Sequence, residues 1–459
     1  MIKHIILLLT VTITVAVNAK QQRPNIVFLL SDDQPLRAMS SNDPWFSTPH
    51  MDQLAKEGMV FNNAFVECSV CCVSRASFMM GQYNSRHGVQ SFDTPLSAQQ
   101  MRQSFPVLLR NAGYRTALLG KYAVGHSRAY PKALCLPADS FDLFYGFQQS
   151  PSYVQKENGK KRYLTTVMED KAIQFMKETP DDQPFMVYMC LPEPHGQGGK
   201  GGPWNYRDPE FKLDPPGTPP TKPATMTQAA YDRLPQAIKE SNNYHSKVYY
   251  RGNKTFVKYM TTVRDYVART DLAVGRMRQA LKEMGKDDNT VIIFTSDHGT
   301  MWGAHNIVGK WNMYEESIRI PMMIFDPRLP QPKGQRDQTV LNIDVTATIL
   351  DVADVVIPEA MQGVSLMPML RDNNEKGHKD WYYLHDVHTR SKAKLIRCEG
   401  VRSEQWKYIR YIGTDPVQEE LFHLVTDPQE QHNLSAEVTH NKRLKQLRSR
   451  CTALAELRK

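Results

Sequence analysis

Three short apolar runs stand out along the chain, and each ends in polar residues. PNIVFLL (24–30) leads into SDD, FMVYMCL (185–191) into PEPH, and TVIIFTS (290–296) into DHG. Continuous apolar runs of this length are typical of parallel strands that are buried on both faces. Segments with helical spacing of apolar residues lie between them, at 51–61, 105–114 and 266–285. The alternation predicts an α/β fold in which helices cover both faces of a large, mostly parallel central sheet.

The two ends of the chain depart from this pattern. Residues 1–19 combine a basic start, an apolar run and small residues, which is the pattern of a cleaved signal peptide. The apolar run is shorter than the roughly 20 residues that a membrane span needs. We therefore predict an exported protein, periplasmic or secreted, with no membrane span. The predicted organisation is a signal peptide (1–19), a large N-terminal domain (20–371) and, after a polar linker, a smaller C-terminal α+β subdomain with a short antiparallel sheet (372–459).

The net charge of the chain is +9, and its isoelectric point is about 9.0. Basic proteins often bind polyanions such as nucleic acids, anionic membranes or sulfated glycans, although a generally basic surface is an equally good interpretation. The sequence has no dense Lys/Arg run, no zinc finger and no interleaving of aromatic with basic residues. Nucleic acid is therefore not expected as a partner.

Three of the seven cysteines lie close together in CSVCCVSR (68–75), and the other four are scattered. An odd number spread over 459 residues excludes a small disulfide-stapled fold. The spacing also lacks the paired CxxC units of a structural zinc site. Cys71 and Cys72 are adjacent, which is unfavourable for pairing with each other. The pattern favours one cysteine with a chemical role.

Acidic residues follow two of the predicted strands. Asp32 and Asp33 come directly after the first run, and Asp297 and His298 come after the last. Ligands bind beyond the carboxyl ends of strands in open α/β sheets, and adjacent carboxylates repel one another unless a cation neutralises them. Oxygen ligands suit Ca²⁺ or Mg²⁺, while the imidazole leaves manganese and zinc open. The sequence therefore predicts a metal site at this edge.

The stretch CCVSRASFMMG (71–81) resembles the signature of the formylglycine-dependent type I sulfatases of the alkaline phosphatase superfamily. That signature is Cys-x-Pro-x-Arg with a glycine six residues after the arginine. Counting back from Arg75 and Gly81 places the reactive cysteine at Cys71. The doubled cysteine resembles carbohydrate sulfatases such as N-acetylglucosamine-6-sulfatases. Further matching blocks lie at 48–65, 113–122, 297–321 and 342–353 and in the C-terminal tail.

The resemblance implies a sulfuric ester hydrolase that removes sulfate from a sulfated polysaccharide or oligosaccharide. Cys71 would be converted to formylglycine by a formylglycine-generating or sulfatase-maturating enzyme, and the hydrated aldehyde would supply the attacking oxygen. A divalent cation would assist, with Ca²⁺ expected first and Mg²⁺ second. Its expected ligands are Asp32, Asp33, modified Cys71, Asp297 and His298.

The resemblance also implies roles for basic residues. Arg75 and Lys121 would orient and activate residue 71. His195 and Lys310 would bind the sulfate, and His195 would protonate the leaving alcohol. His305 lies in a matching block and would line the substrate side.

Two positions depart from the family pattern. Val73 stands where the signature has proline, and GKYAVG (120–125) has Ala123 where the family often has a second basic residue. These departures leave open a catalytically silent protein that binds sulfated glycans. A phosphodiester or phosphonate hydrolase on the same fold is also open, since phosphate and sulfate esters share geometry and charge.

Overall fold

The apolar runs form the middle of a nine-stranded, mixed and mostly parallel sheet. The computed structural model describes residues 23–458 except 127–129, 158, 197–207, 209, 210, 212, 215, 331, 332, 373 and 388–394. The spatial order of the sheet is β11 (Arg319–Ile320), β2 (Met59–Phe65), β12 (Met322–Phe325), β9 (Thr290–Ser296), β1 (Asn25–Ser31), β7 (Phe185–Cys190), β3 (Arg115–Lys121) and β4 (Leu143–Phe147), with β13 (Gly334–Leu341) paired to β2.

Helices cover both faces of the sheet, as the alternating pattern predicts. Successive residues of β1 point to opposite sides, so Phe28 belongs to one core layer and Leu29 to the other. The helices are α1 (Pro49–Glu57), α2 (Cys71–Met80), α3 (Asn84–His87), α4 (Ala98–Arg102), α5 (Phe105–Asn111), α6 (Lys132–Cys135), α7 (Leu164–Lys177), α8 (Gln228–Arg233), α9 (Gln236–Lys239), α10 (Ser246–Tyr250), α11 (Asn253–Glu283), α12 (Glu315–Ile318), α13 (Asn342–Val352), α14 (Met367–Arg371) and α15 (Asn441–Leu457).

The predicted helices differ from the observed ones at their ends. The helix expected over 51–61 ends at Glu57, and β2 begins at Met59. Gly58 makes this change of direction possible, because a Cβ there would lie 2.8 Å from the carbonyl oxygen of Ile324. The last predicted helix also begins earlier than expected, at Asn253.

A four-stranded antiparallel sheet lies entirely within the expected C-terminal subdomain, 372–459. It packs on the large domain, because its Trp381 and Tyr408 share one core with Phe28 and Phe78. The boundary at 371 stays a prediction. The strands of this sheet, in spatial order, are β14 (Asp380–His385), β15 (Cys398–Ser403), β16 (Trp406–Tyr411) and β17 (Glu419–His423).

Two further antiparallel pairs of short strands belong to the described structure. One pairs β5 (Val154–Glu157) with β6 (Lys160–Tyr163), and the other pairs β8 (Tyr244–His245) with β10 (Ile307–Val308). None of the described helices combines the length and the apolar character that crossing a membrane requires. The expected signal peptide, residues 1–19, lies outside the described residues.

Candidate active site

Two neighbouring parallel strands bring the acidic residues together. Ser31, the last residue of β1, pairs with Ser296, the last residue of β9, so Asp32 and Asp33 lie beside Asp297. The backbone N–H of Asp33 donates to Asp297 Oδ1 at 3.0 Å. Asp32 and Asp297 are fully buried. The strand register therefore builds a compact group of carboxylates at the edge that the sequence predicts.

Helix α2 begins at this edge with Cys71 as its first residue. Ser74 fixes the first turn by donating from its hydroxyl to the carbonyl oxygen of Asp297 at 2.5 Å. The thiol of Cys71 consequently faces the carboxylates. Its Sγ lies 3.1 Å from Lys310 Nζ, 3.4 Å from His298 Nε2 and 3.9 Å from Asp33 Oδ1.

Three buried cations balance the carboxylates. Arg75 Nε lies 3.0 Å from Asp297 Oδ2, and Lys121 Nζ lies 2.6 Å from Asp32 Oδ2. Lys310 Nζ lies 2.5 Å from the carboxylate of Asp33. Arg75 and Lys121 are also linked to each other, because Arg75 Nη1 donates to the carbonyl oxygen of Lys121 at 2.6 Å.

A tight approach of two strands positions Lys121 at the end of β3. The residue before it is Gly120, with φ +97, and a Cβ there would lie 2.0 Å from the carbonyl oxygen of Cys190. Only glycine fits this contact without a shift of the backbone. Lys121 at the end of β3 therefore lies beside the carboxylates, although it follows Asp32 by 89 residues in the sequence.

His195 approaches the cluster from the turn after β7. Its Nε2 lies 3.9 Å from Asp33 Oδ2, and 26 % of its side chain is exposed. The turn is anchored on both sides: Asp32 N donates to the carbonyl oxygen of Glu193 at 3.0 Å, and the Tyr153 hydroxyl donates to the carbonyl oxygen of His195 at 2.5 Å. The imidazole is thus held at the open side of the site.

The carboxylates offer donor atoms suited to a cation. Oxygens of Asp32, Asp33 and Asp297 all lie within 4.8 Å of one another. Asp32 Oδ1 is buried and accepts no hydrogen bond from the described residues, and the guanidinium of Arg75 stands 3.5 Å away from it. A buried carboxylate oxygen without a donor is costly. The donor set therefore fits a hard divalent cation.

Comparisons with known proteins identify the family of this chain. The model of the family described as Sulfatase matches residues 24–355. The chain belongs to the sulfatase family. A second model, described as N-sulphoglucosamine sulphohydrolase, C-terminal, matches residues 303–457. The protein is therefore a sulfuric ester hydrolase.

Curated relatives of this sulfatase cover nearly the whole chain. An N-acetylglucosamine-6-O-sulfatase of Bacteroides thetaiotaomicron is 28% identical, covering 93% of this chain and 85% of the relative. An ulvan-active sulfatase of Formosa agariphila is 26% identical, covering 92% of this chain and 79% of the relative. The predicted family resemblance is confirmed.

A protein solved in complex with its substrate D-glucosamine-2-N,6-O-disulfate superposes with a TM-score of 0.78 at 25% identity, covering 95% of this chain and 98% of that chain. A phosphonate monoester hydrolase of Agrobacterium radiobacter superposes equally well, with a TM-score of 0.78 at 20% identity. The match covers 95% of this chain and 96% of the hydrolase. The second likeness shows the fold alone. The predicted α/β fold is thereby confirmed.

The three clustered cysteines of the sulfatase differ in their electrostatic surroundings. Burial raises the pKa of Cys71, but the ammonium groups of Lys121 and Lys310 outweigh it, so the pKa is lowered. Burial raises the pKa of Cys68 and Cys72, which pack in an apolar cluster with Val73. Of the three, Cys71 is the one at which the neighbouring cations outweigh burial.

The two histidines of the cluster, His298 and His195, differ in the direction of their pKa shifts. His298 Nδ1 lies 3.0 Å from the carbonyl oxygen of Gly299, which holds the proton on Nδ1 and leaves Nε2 toward Cys71. Burial lowers the pKa of His298, but Asp297 outweighs it and raises the pKa to about 9. Burial lowers the pKa of His195.

His305 lies apart from this cluster. It occupies the tip of a loop in which Met301 N donates to the carbonyl oxygen of Gly309, and its ring stacks on Tyr314 with centroids 4.3 Å apart. Its Nε2 lies 4.0 Å from Glu316 Oε2. The described contacts of His305 therefore include none of the other predicted site residues, and its expected place on the substrate side stays a prediction.

The sequence analysis missed two residues that hold the site in place. Ser74, which anchors α2, lies inside the signature, and its position in the first turn beside Arg75 is the signal that could have indicated it. Tyr153 holds the backbone of His195, which lies 42 residues further along the chain, and no local sequence pattern indicates this contact. Among the departures from the family pattern, Ala123 adopts φ 59 two residues after the end of β3, and Val73 is fully buried.

Proposed function

We propose that this sulfatase removes sulfate from a sulfated carbohydrate, using formylglycine formed from Cys71 and a divalent cation. One observation carries the proposal: residue 71 stands where the carboxylates, Lys310 and His298 converge. The chemistry of the substrate fits this setting, because a sulfate ester is anionic and repels a nucleophile unless positive charge surrounds it. The curated names of the two relatives above, a glucosamine sulfatase and an ulvan-active sulfatase, support a carbohydrate substrate.

The cation would be held by Asp32, Asp33, Asp297, His298 and modified Cys71. Three carboxylates favour a hard cation, so we propose Ca²⁺ first and Mg²⁺ second. When bound, it supplies positive charge to a sulfate oxygen and to the attacking oxygen. Among the described residues nothing donates a hydrogen bond to Asp32 Oδ1, which makes it a candidate ligand atom, and His298 Nε2 faces Cys71 beside the same carboxylates.

Formylglycine, as its hydrate, would supply the oxygen nucleophile at position 71. The chain's own residues prepare that position. Lys121 and Arg75 hold Asp32 and Asp297 in place through buried ion pairs, so the carboxylates keep their orientation. Lys310, 3.1 Å from the Sγ atom that the nucleophilic oxygen replaces, is placed to bind a sulfate oxygen there.

His195 is placed to protonate the leaving alcohol. Its side chain is more exposed than that of Asp33 beside it, so it would lie between the bound sulfate and the sugar of the substrate. Its lowered pKa favours the neutral imidazole before the substrate binds. An incoming sulfate adds a negative charge beside the imidazole, which favours the protonated form that a general acid needs.

We also propose that the protein is exported, on the strength of the signal-peptide pattern in residues 1–19. Export would place the enzyme in the periplasm or outside the cell, where polymeric sulfated glycans are met. A maturating enzyme that forms formylglycine would have to act on the chain before or during export.

An assay of product release tests the proposed substrate class. The protein, produced together with a maturating enzyme, is incubated with N-acetylglucosamine-6-sulfate, sulfated ulvan oligosaccharides and a phosphonate monoester, and free sulfate and phosphonate are quantified. We expect sulfate release from at least one carbohydrate to exceed phosphonate hydrolysis. The matched pair Cys71→Ala and Cys72→Ala should differ, with only the first inactive. Faster phosphonate hydrolysis would favour the other hydrolase activity on this fold, and no turnover with fully modified protein would contradict the proposal.

A further inference from the structure

A second group of potential metal ligands lies where the loop of His305 meets α12 and the chain that follows β17. A ring nitrogen of His305 and one carboxylate oxygen each of Glu316 and Glu430 all lie within 4.8 Å of one another. His305 Nε2 is 4.0 Å from Glu316 Oε2. None of these three residues belongs to the groups of potential ligands around Cys71.

The imidazole of His305 is the group that points to a ligand. His305 is only 2 % exposed, and its Nε2 has no hydrogen-bond partner within the part of the chain that the structure describes. A buried polar atom without a partner costs free energy. A bound metal ion would remove this cost, because the neutral imidazole is a common metal ligand through Nε2.

Both carboxylates can accept a cation. Among the described residues, no lysine or arginine lies within ion-pair distance of Glu316, and 22 % of its side chain is exposed, so an ion can reach it from solvent. Glu430 is already engaged: Glu315 N donates to its Oε2 at 2.8 Å, and Lys407 Nζ lies 2.6 Å from its Oε1. Each carboxylate oxygen can accept two bonds, so Glu430 keeps capacity for a further contact.

The space beside these residues suits one small ion. A cavity of about 10 Å³ is lined by residues that include His305, Tyr314, Glu420 and Glu430. A single water molecule needs roughly 10–15 Å³ of such space. Ca²⁺ takes about six to eight oxygen ligands, which this site does not offer. One imidazole nitrogen and two carboxylates, completed by a water, match the four-coordinate preference of Zn²⁺.

An ion at this position would fasten the loop that precedes Lys310. The loop is closed at its base, because Met301 N donates to the carbonyl oxygen of Gly309 at 2.8 Å. At its tip His305 has φ 51, a left-handed backbone conformation that residues other than glycine rarely adopt. The ion would hold this tip to α12 and to the chain that follows β17.

We propose that His305, Glu316 and Glu430 form a structural site for Zn²⁺, separate from the divalent cation of the active site. The ion cross-links the loop to the rest of the fold and takes no part in the chemistry at residue 71. The inference does not rest on the proposed function, because none of its three ligands takes part in the reaction proposed above.

Metal binding tests the site without requiring turnover. The full-length Cys71→Ala protein, which lacks the thiol nearest to the active-site carboxylates, is equilibrated with Zn²⁺ in the presence of excess Ca²⁺. We expect one Zn²⁺ per chain by inductively coupled plasma mass spectrometry. His305→Gln and the partly exposed, nearly isosteric Glu316→Gln should each raise the Kd for Zn²⁺ at least about 10-fold, since even an outer partner of a metal ligand is typically worth 10–100-fold. Zn²⁺ should also raise the Tm of the starting protein but not that of Glu316→Gln.

Two controls remove a histidine elsewhere. His432→Gln alters a side chain that is 73 % exposed beside Asp427, and His298→Gln alters the active site. Both variants should keep the Zn²⁺. Three results would overturn the proposal: no Zn²⁺ on the starting protein, unchanged affinity in either His305→Gln or Glu316→Gln, or an equal loss in either control. Failure of the proposed function would look different, because the matured enzyme would then release no sulfate while the Zn²⁺ remained bound.

Discussion

Two buried clusters of charge can be compared within this molecule. One is the active-site cluster, and the other lies where α12 meets the four-stranded sheet. In this second group, the interface cluster, Lys407 Nζ lies 2.7 Å from Glu315 Oε1, 2.6 Å from Glu430 Oε1 and 2.8 Å from the carbonyl oxygen of Met313. Arg402 donates to both oxygens of Glu315 at 2.9 and 3.1 Å. The interface cluster consists of Glu315, Arg402, Lys407, Glu420 and Glu430.

The two clusters differ in where their charges point. In the interface cluster Lys407 joins Glu315 to Glu430, and Arg402 binds Glu315, so a buried network of ion pairs joins α12 to the four-stranded sheet. In the active-site cluster several groups converge on residue 71, and Asp32 Oδ1 accepts no hydrogen bond from the residues that the structure describes. Buried charge alone therefore does not mark a functional site. Buried charge that converges on one reactive side chain does mark one.

The largest effect is expected from Asp297→Asn. This change keeps the side-chain shape but removes charge that holds Arg75 and that the cation would need. Turnover of a sulfated sugar should fall by at least about 10²–10³-fold, and metal content measured by mass spectrometry should fall with it. An active, metal-free variant would show that the carboxylates do not serve as cation ligands.

The interface cluster should respond in stability instead. Lys407→Met would leave Glu315 and Glu430 buried without their shared cation, and we expect the free energy of unfolding to fall by about 3–5 kcal/mol. Urea unfolding gives this value. The control is Arg410→Met. The ion pair between Arg410 and Glu399 is partly exposed to solvent, so its loss should lower the free energy of unfolding by less than about 1 kcal/mol. Equal effects of the two substitutions would contradict the role assigned to the interface cluster.

A pH series sharpens the same comparison at Glu420. Burial raises the pKa of this carboxyl to about 7, although the hydroxyls of Tyr411 and Tyr314 donate to it. The folded protein then holds a proton that the unfolded chain has lost above about pH 4.5, so this group lowers stability as pH rises from about 4.5 to 7. Glu420→Gln should remove that slope. Thermal unfolding is measured at pH 5 and pH 7.5 for the parent and the variant. The Tm of the variant relative to that of the parent should be higher at pH 7.5 than at pH 5. The same Tm difference at both pH values would refute the raised pKa of Glu420.

The smallest effect is expected from Val73→Pro, which restores the proline of the family signature. Residue 73 lies in the first turn of α2, where a backbone N–H has no partner within the helix. The change should therefore cost less than about 1.5 kcal/mol of stability. The converted fraction of Cys71, measured by mass spectrometry, should equal or exceed that of the parent. A lower fraction would show that Val73 suits the maturating enzyme better.

The sequence was informative wherever the chemistry lies at strand ends. Parallel strands share one carboxyl edge, so the positions of Asp32 and Asp297 after apolar runs were enough to predict that they meet. Cys71 was singled out by the spacing of its signature, and it is the first residue of α2, while its chemical role stays a prediction. The positions of these residues could be predicted because strand direction and helix start are local properties.

The sequence could not place residues that depend on distant contacts. His305 lies seven positions after His298, but the loop doubles back through Gly303 at φ +99 and takes its tip to Tyr314. The end of α1 likewise depends on the approach of β12 to Gly58, and the anchoring of His195 depends on Tyr153. Such placements follow from tertiary packing, which overrides local propensity.

The most direct test of the account is the chemical identity of residue 71. The protein is produced with a maturating enzyme, and the tryptic peptide ending at Arg75 is fragmented to separate positions 68, 71 and 72. We expect residue 71 to lose a sulfur and two hydrogens and to gain one oxygen, while Cys68 and Cys72 keep their thiols. Intact Cys71, in a host that converts a control sulfatase completely, would contradict the account and favour a protein that only binds sulfated glycans.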